Sequence, residues 1–343
     1  MPNVAPFRRE LFIFATMTAK HIIPLSFSTG ICILSGLCST RNRSVEPIEY
    51  PCPEIIRLEK VIADADSEAI SNNYEGLSMF LSMTGINTGT DMTDLTEAVV
   101  SYSQSGGFSY FLHDVLTHFE SVDTLARQLA YLKSNWSVSS FPQKIFTVVS
   151  PYRQRIMTVD STALFIALNH YMGEDYPPYE AFPRYIRATK IPGRIAYDVS
   201  EALISATFPY PESETSLASR MVYQGIILSN AMQSVADADL ANALGWSSEQ
   251  MNKVTDNERS IWQEIIERNW LYADTYSVPA QLLEPAPSVP QLSVEVPGGV
   301  ARFLGYKIVE SYFKSHPTET VHQFLASKKY LDPDILRQAS YRP

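Results

Sequence analysis

The sequence predicts an α+β fold, mostly helical, with one small central sheet, and three observations carry that prediction. Apolar residues recur at helical spacing in two groups, one covering residues 54–136 and the other everything from residue 195 onward. Between them, residues 144–150 (KIFTVVS), 155–160 and 161–168 have the length and apolar content of strands, with Pro151 and Tyr152 turning between the first two. No internal repeat or low-complexity block interrupts this order, so helices, sheet and helices follow one another in a single domain. The chain has 343 residues, 45% hydrophobic and 19% charged, which is enough for a sizeable core.

Residues 1–37 read as an export signal rather than as part of the fold, with Met17 an alternative start to Met1. From Met17 the segment opens on Lys20 and His21, continues through an apolar run over residues 22–37, and ends at Cys38. The run falls short of the roughly 20 residues that span a bilayer. A cysteine directly after such a run is the attachment point of a bacterial lipoprotein, although Leu37 is bulkier than the usual residue before it. Of Cys32, Cys38 and Cys52, cleavage then removes the first and lipidation takes the second, so no disulfide framework follows. Residues 38–52 form a lipidated N-terminus and tether, rich in charge and proline. The folded domain occupies residues 53–343.

Within the domain, helices are expected over residues 54–70, 74–83, 108–119 and 121–136, the last capped by Ser121 or Asp123, with a loop over 85–93. After the three strands, residues 169–190 form a loop dense in Tyr, Pro and charge. A helix then starts at Ile195 and carries Asp198 and Glu201 one turn apart. Residues 213–234 form a long helix, and Asp256 caps the next, over 257–272. A Pro-rich stretch over 282–296 and the break Pro297-Gly298-Gly299 precede a helix over 300–315. Thr318 and Asp332 read as caps of two closing helices, with Pro333 at the first helical position of the second. Gly225 and Gly305 sit inside helices at a cost of about 1 kcal/mol each relative to Ala, which predicts close helix contact there.

Composition excludes several functions. A formal charge of −10 and a pI near 5.1, with no cluster of Lys and Arg, exclude a nucleic-acid surface. Walker, Gly-x-Gly-x-x-Gly and Gly-x-Ser-x-Gly patterns are missing, so phosphate cradling and nucleophile-elbow hydrolysis lack their backbone requirements. Histidines at positions 21, 113, 118, 170, 316 and 322 nowhere stand four apart, the spacing that lets two imidazoles on one helix share a zinc ion. The loop Tyr176, Tyr179, Phe182, Arg184, Tyr185 and Arg187 offers a different chemistry. Tyr and Arg combine apolar area with directed hydrogen bonds, the combination enriched at protein interfaces.

Several pieces resemble one family in the same order: Tyr171-Met172-Gly173-Glu174-Asp175 ahead of Phe182-Pro183-Arg184-Tyr185-Ile186-Arg187, then Arg220-Met221-Val222-Tyr223-Gln224-Gly225, Asn257-Glu258-Arg259-Ser260-Ile261-Trp262, and residues 297–309 (PGGVARFLGYKIV). They look like the gliding-motility lipoprotein GldB family of Bacteroidetes, from about residue 108 to the closing Ala339-Ser340-Tyr341-Arg342-Pro343. The resemblance implies a membrane-attached envelope protein with a zincin-like fold, similar to zinc metallopeptidases that carry His-Glu-x-x-His. At the corresponding place stands Asp198-Val199-Ser200-Glu201-Ala202, so Asp198 and Glu201 mark a degenerate cleft, read as solvated residues of a helix face.

The expectation is a non-catalytic lipoprotein with no catalytic residue, metal or cofactor. It would sit in the cell envelope with its domain in the periplasm, membrane-bound through a lipid on Cys38, and contact envelope proteins or peptide segments through Tyr176, Tyr179, Arg184, Tyr185 and Arg187. The alternative is a zinc-dependent metallohydrolase or peptidase with an atypical ligand set of His170, Asp198 and Glu201. A solute-binding lipoprotein is a third option and requires a deep apolar pocket.

Overall fold

A computed structural model describes residues 50–343. The expected export segment 1–37 with Met17, the expected acylation site Cys38 and the expected tether up to residue 49 lie outside the described residues. Cys52 is an exposed free thiol.

The first element is a strand where the sequence predicts helix. Ile55–Arg57 (β1) pairs in parallel with Lys144–Val148 (β2), Ile55 opposite Ile145 and Arg57 opposite Thr147. Two isoleucines in a short apolar run do not distinguish strand from helix until the partner is known, and the partner lies far downstream. Leu58–Asp64 (α1) and Ser67–Asn72 (α2) follow, separated by Ala65 in the left-handed region (φ 47°) and by Asp66, whose carboxylate accepts from the Ala69 N–H at 2.9 Å. Tyr74–Met83 (α3) is as expected. The loop after it ends at Asp91, whose side chain accepts from the Thr93 and Asp94 N–H groups at 2.8 and 3.0 Å and opens Met92–Ser103 (α4), a helix the sequence reading left out. Gly106–His118 (α5) and Asp123–Ser134 (α6) complete the N-terminal half.

The sheet has four strands rather than about three. Ile156–Val159 (β3) and Ala163–Ala167 (β4) join β1 and β2 in the order β1-β2-β4-β3, with β4 parallel to β2 and β3 antiparallel to β4. Every residue of β4 is buried, as suits a central strand of unbroken apolar sequence. Phe165 on β4 stacks on Phe146 of β2 (4.9 Å between centroids) and on Phe80 of α3 (6.1 Å), which joins the sheet to the first helical group.

The second half is helical: Arg184–Arg187 (α7), Ile195–Thr207 (α8), Leu217–Ser234 (α9), Leu240–Leu244 (α10), Ser248–Asp256 (α11), Glu258–Glu267 (α12), Val300–Ser315 (α13), Val321–Ala326 (α14) and Ile335–Ala339 (α15). Several caps differ from expectation by one to three residues. Ser216, not a residue near 213, opens α9; Asp256 ends α11 rather than starting α12. Thr320 rather than Thr318 caps α14, where Gln323 closes a capping box, and Pro333 stays outside α15. Both glycine expectations are met by one contact. A Cβ on Gly225 would collide with the Gly305 backbone, and one on Gly305 with the Met221 carbonyl, so α9 and α13 cross with main chain against main chain.

The direction of the parallel strands orders the domain along one axis. α6 runs back beside β1: Arg57 Nη1 donates to the Glu120 carbonyl at 3.2 Å at one end, and Tyr50 packs edge-on against Tyr131 (5.4 Å) at the other. The chain therefore enters the domain at the N-terminal end of the sheet. The turn over 150–155 and the loop over 168–190 leave from the C-terminal ends of β2 and β4, at the opposite end.

Candidate functional site

The loop beyond the C-terminal ends of β2 and β4 is held by a buried polar framework. Asn169 clamps the end of β2: its Oδ1 accepts from the Ser150 N–H at 2.9 Å and its Nδ2 donates to the Ser150 carbonyl at 2.8 Å. Tyr179 lies inside the loop, 3% exposed, with its hydroxyl on the Asn169 carbonyl at 2.5 Å and against the Met172 N–H at 3.3 Å. Burial raises its phenol to about 12. Of the expected contact residues, Tyr179 thus packs the loop itself, and Tyr176 is half-buried, donating to Asp114 of α5 at 2.6 Å. Tyr185 and Arg187 are half-buried, while Arg184 is exposed and meets Glu174 at 3.4 Å. Phe182 is 44% exposed at the surface of the same loop.

A cation is enclosed beneath this loop. Lys190 is 4% exposed; its Nζ lies 4.7 Å from the Tyr179 ring centre, 4.8 Å from that of Phe182 and 3.3 Å from His170 Nδ1. His170 Nε2 sits 2.8 Å from the Tyr152 carbonyl, an acceptor only, so Nε2 carries the proton and Nδ1 offers its lone pair to Lys190. Desolvation, with the Lys190 and Arg155 charges, lowers the imidazole to about 3. Desolvation and Arg155 lower the Lys190 ammonium to about 8, against the opposing pull of Asp198.

Asp198 is not a solvated surface residue. Its Oδ2 accepts from Tyr171 Oη at 2.9 Å and faces Arg155 Nη1 at 3.4 Å, while its Oδ1 accepts from Arg194 Nε at 3.1 Å. Arg155 also donates to the Thr189 carbonyl and hydroxyl, and Arg194 reaches the Asn242 carbonyl. One carboxylate therefore ties β3, the loop, α8 and the start of α10 together, which explains why a residue on a helix face is sequestered. Glu201, one turn on, is more exposed and pairs with Arg302 of α13 at 3.0 Å. His170, Asp198 and Glu201 each have partners of their own, and among the described residues no three His, Cys, Asp or Glu side chains gather as a metal would require. The arrangement offers shape, rings and fixed charge rather than an unengaged base.

Residues 39–343 match the family model for gliding motility protein GldB. The chain belongs to the GldB family. No curated protein and no solved structure matches it. The name of the matching model marks GldB proteins as lipoproteins, that is, envelope-associated proteins held by a lipid anchor. No described helix is long and apolar enough to cross a membrane. In this GldB-family chain, sequence reading located α8 and the aromatic loop but missed Lys190, Arg155, Arg194 and Arg302. Only Arg194, four residues before Asp198, left a readable trace in its spacing.

Proposed function

We propose that this chain is a non-catalytic envelope lipoprotein of the gliding-motility type, exported by removal of residues 1–37, lipidated at Cys38, and working by protein contact in a membrane-associated assembly with its domain in the periplasm. The observation that carries the reading is the state of the two α8 carboxylates. Asp198 is shared among Arg155, Arg194 and Tyr171, and Glu201 is paired with Arg302, so each works as a structural counter-ion. On this reading the Asp198 hub holds β3, loop and helix together at the place where the resemblance would put the metal of a zincin-like peptidase. The placement of the loop supports contact as the mode of action. Phe182 and Tyr110, 44% and 63% exposed, lie at the end of the sheet opposite Tyr50.

Photoreactive residues at positions 182 and 110, with position 276 as an exposed control, test this in cells of the source organism. The expected result is one defined envelope protein captured from 182 and 110 but not from 276. Equal background capture from all three positions would refute contact at the loop end.

A further inference from the structure

Three described arginines have a guanidinium nitrogen that is out of solvent and without an acceptor: Arg57, Arg187 and Arg302. Two are neutralised through their other nitrogens. Arg57 reaches Glu59 at 2.6 Å and the Glu120 carbonyl at 3.2 Å, and Arg302 reaches Glu201 at 3.0 Å. Arg187 differs. Its Nε is buried, and no described residue gives its guanidinium a hydrogen bond, an ion pair or a ring contact. The acids of the same loop do not serve it: Glu174 pairs with Arg184 at 3.4 Å, and Asp175 and Glu180 are exposed and pair with no described cation.

A buried Nε–H without an acceptor is unfavourable, Nη1 and Nη2 are not among the buried unpartnered atoms, and the planar guanidinium fork matches a carboxylate with two parallel hydrogen bonds. The surroundings favour the same ligand. Residues 150–194 carry six Lys and Arg against four Asp and Glu, and with Asp114 and Asp198, which bond to this segment, the two signs balance, so this end is less acidic than the whole chain, with 27 against 37. Phe182 and Arg184, five and three residues before Arg187, add an exposed ring and a second exposed guanidinium.

We propose that Arg187 is the seat for a carboxylate presented by an acidic segment of a partner protein, docked on the loop end of the domain beside Phe182 and Arg184. This rests on the reading that the loop end is the contact surface. A half-buried, unpaired arginine becomes the anchor of such an interface because binding supplies the anion it lacks.

The test uses the full-length, lipid-anchored chain in its own cells, with a photoreactive residue at position 182 combined with Arg187→Glu, Arg187→Gln or Arg187→Lys. The expected result is an adduct whose cross-linked peptide carries Asp or Glu, cut at least tenfold by Arg187→Glu and Arg187→Gln and less by Arg187→Lys. Changing the mapped acid to Lys should restore capture by the Arg187→Glu chain. Thermal melting of each variant establishes that it is folded. An adduct that survives Arg187→Glu and Arg187→Gln, one mapping to a segment without carboxylates, or one on lipid would overturn the carboxylate seat. A protein adduct of either of the first two kinds leaves the contact surface standing. No adduct from position 182 in the unaltered chain would overturn the contact surface and, with it, the seat.

Discussion

The side chains beneath the loop make stability depend on pH in two separate windows. Native His170 stays neutral down to about pH 3, whereas an unfolded imidazole takes its proton near 6.5. The unfolded chain gains that proton first, so its contribution is complete above pH 6.5 and is lost as pH falls toward 3. Lys190 acts in the alkaline range. It releases its proton near pH 8 when folded but near 10.5 when unfolded, so stability rises as pH climbs between those values. Urea midpoints measured across pH should show both slopes; Lys190→Met should flatten the alkaline one, and His170→Gln the acidic one. The two α8 carboxylates should separate in the same experiment near neutrality. Asp198→Asn leaves Arg155 and Arg194 facing an uncharged group and is expected to cost about 3 kcal/mol, whereas Glu201→Gln, at a more exposed pair, should cost about 1 kcal/mol.

Among the elements, the crossing of α9 and α13 sets the strictest demand on sequence. Gly225→Ala or Gly305→Ala forces two backbones apart, and each is expected to lose about 3 kcal/mol, read as a fall in the denaturant midpoint at constant slope. That contact was legible in advance because glycine inside a long apolar-periodic helix has few other uses. β2, β3, β4, α8 and α13 were legible for similar reasons, since each is either a short apolar run between turn residues or a long periodic one. β1 was not, because three residues show no period and only β2 makes them a strand. α4 was hidden by the Gly, Asn, Thr and Asp residues before it, which read as loop until Asp91 is seen to cap a helix. At the candidate site the loop's aromatic and basic composition was visible. Which rings face inward was not, because Tyr179 and Phe182 differ in burial, not in sequence character. Arg155 and Arg302 lie 43 and 101 residues from their carboxylate partners, and no local spacing announces such pairs.

At the scale of the whole molecule, the functional question is whether the domain binds a metal or a protein. The purified domain dialysed against zinc and analysed by mass spectrometry is expected to hold far less than one ion per chain, with no change on Glu201→Gln. One tightly held zinc lost on that substitution would favour the hydrolase alternative. The same strand direction that separates the entry point from the loop also has a mechanical meaning. β1 is the first strand after residue 50 and is joined to β2 by three residue pairs running in the same direction. Tension applied between Tyr50 and the loop end would run along those strands, pulling β1 backward and β2 forward. Their hydrogen bonds would then share the load in shear instead of peeling one at a time, and the domain could transmit a force that a hairpin pulled from one end would yield to.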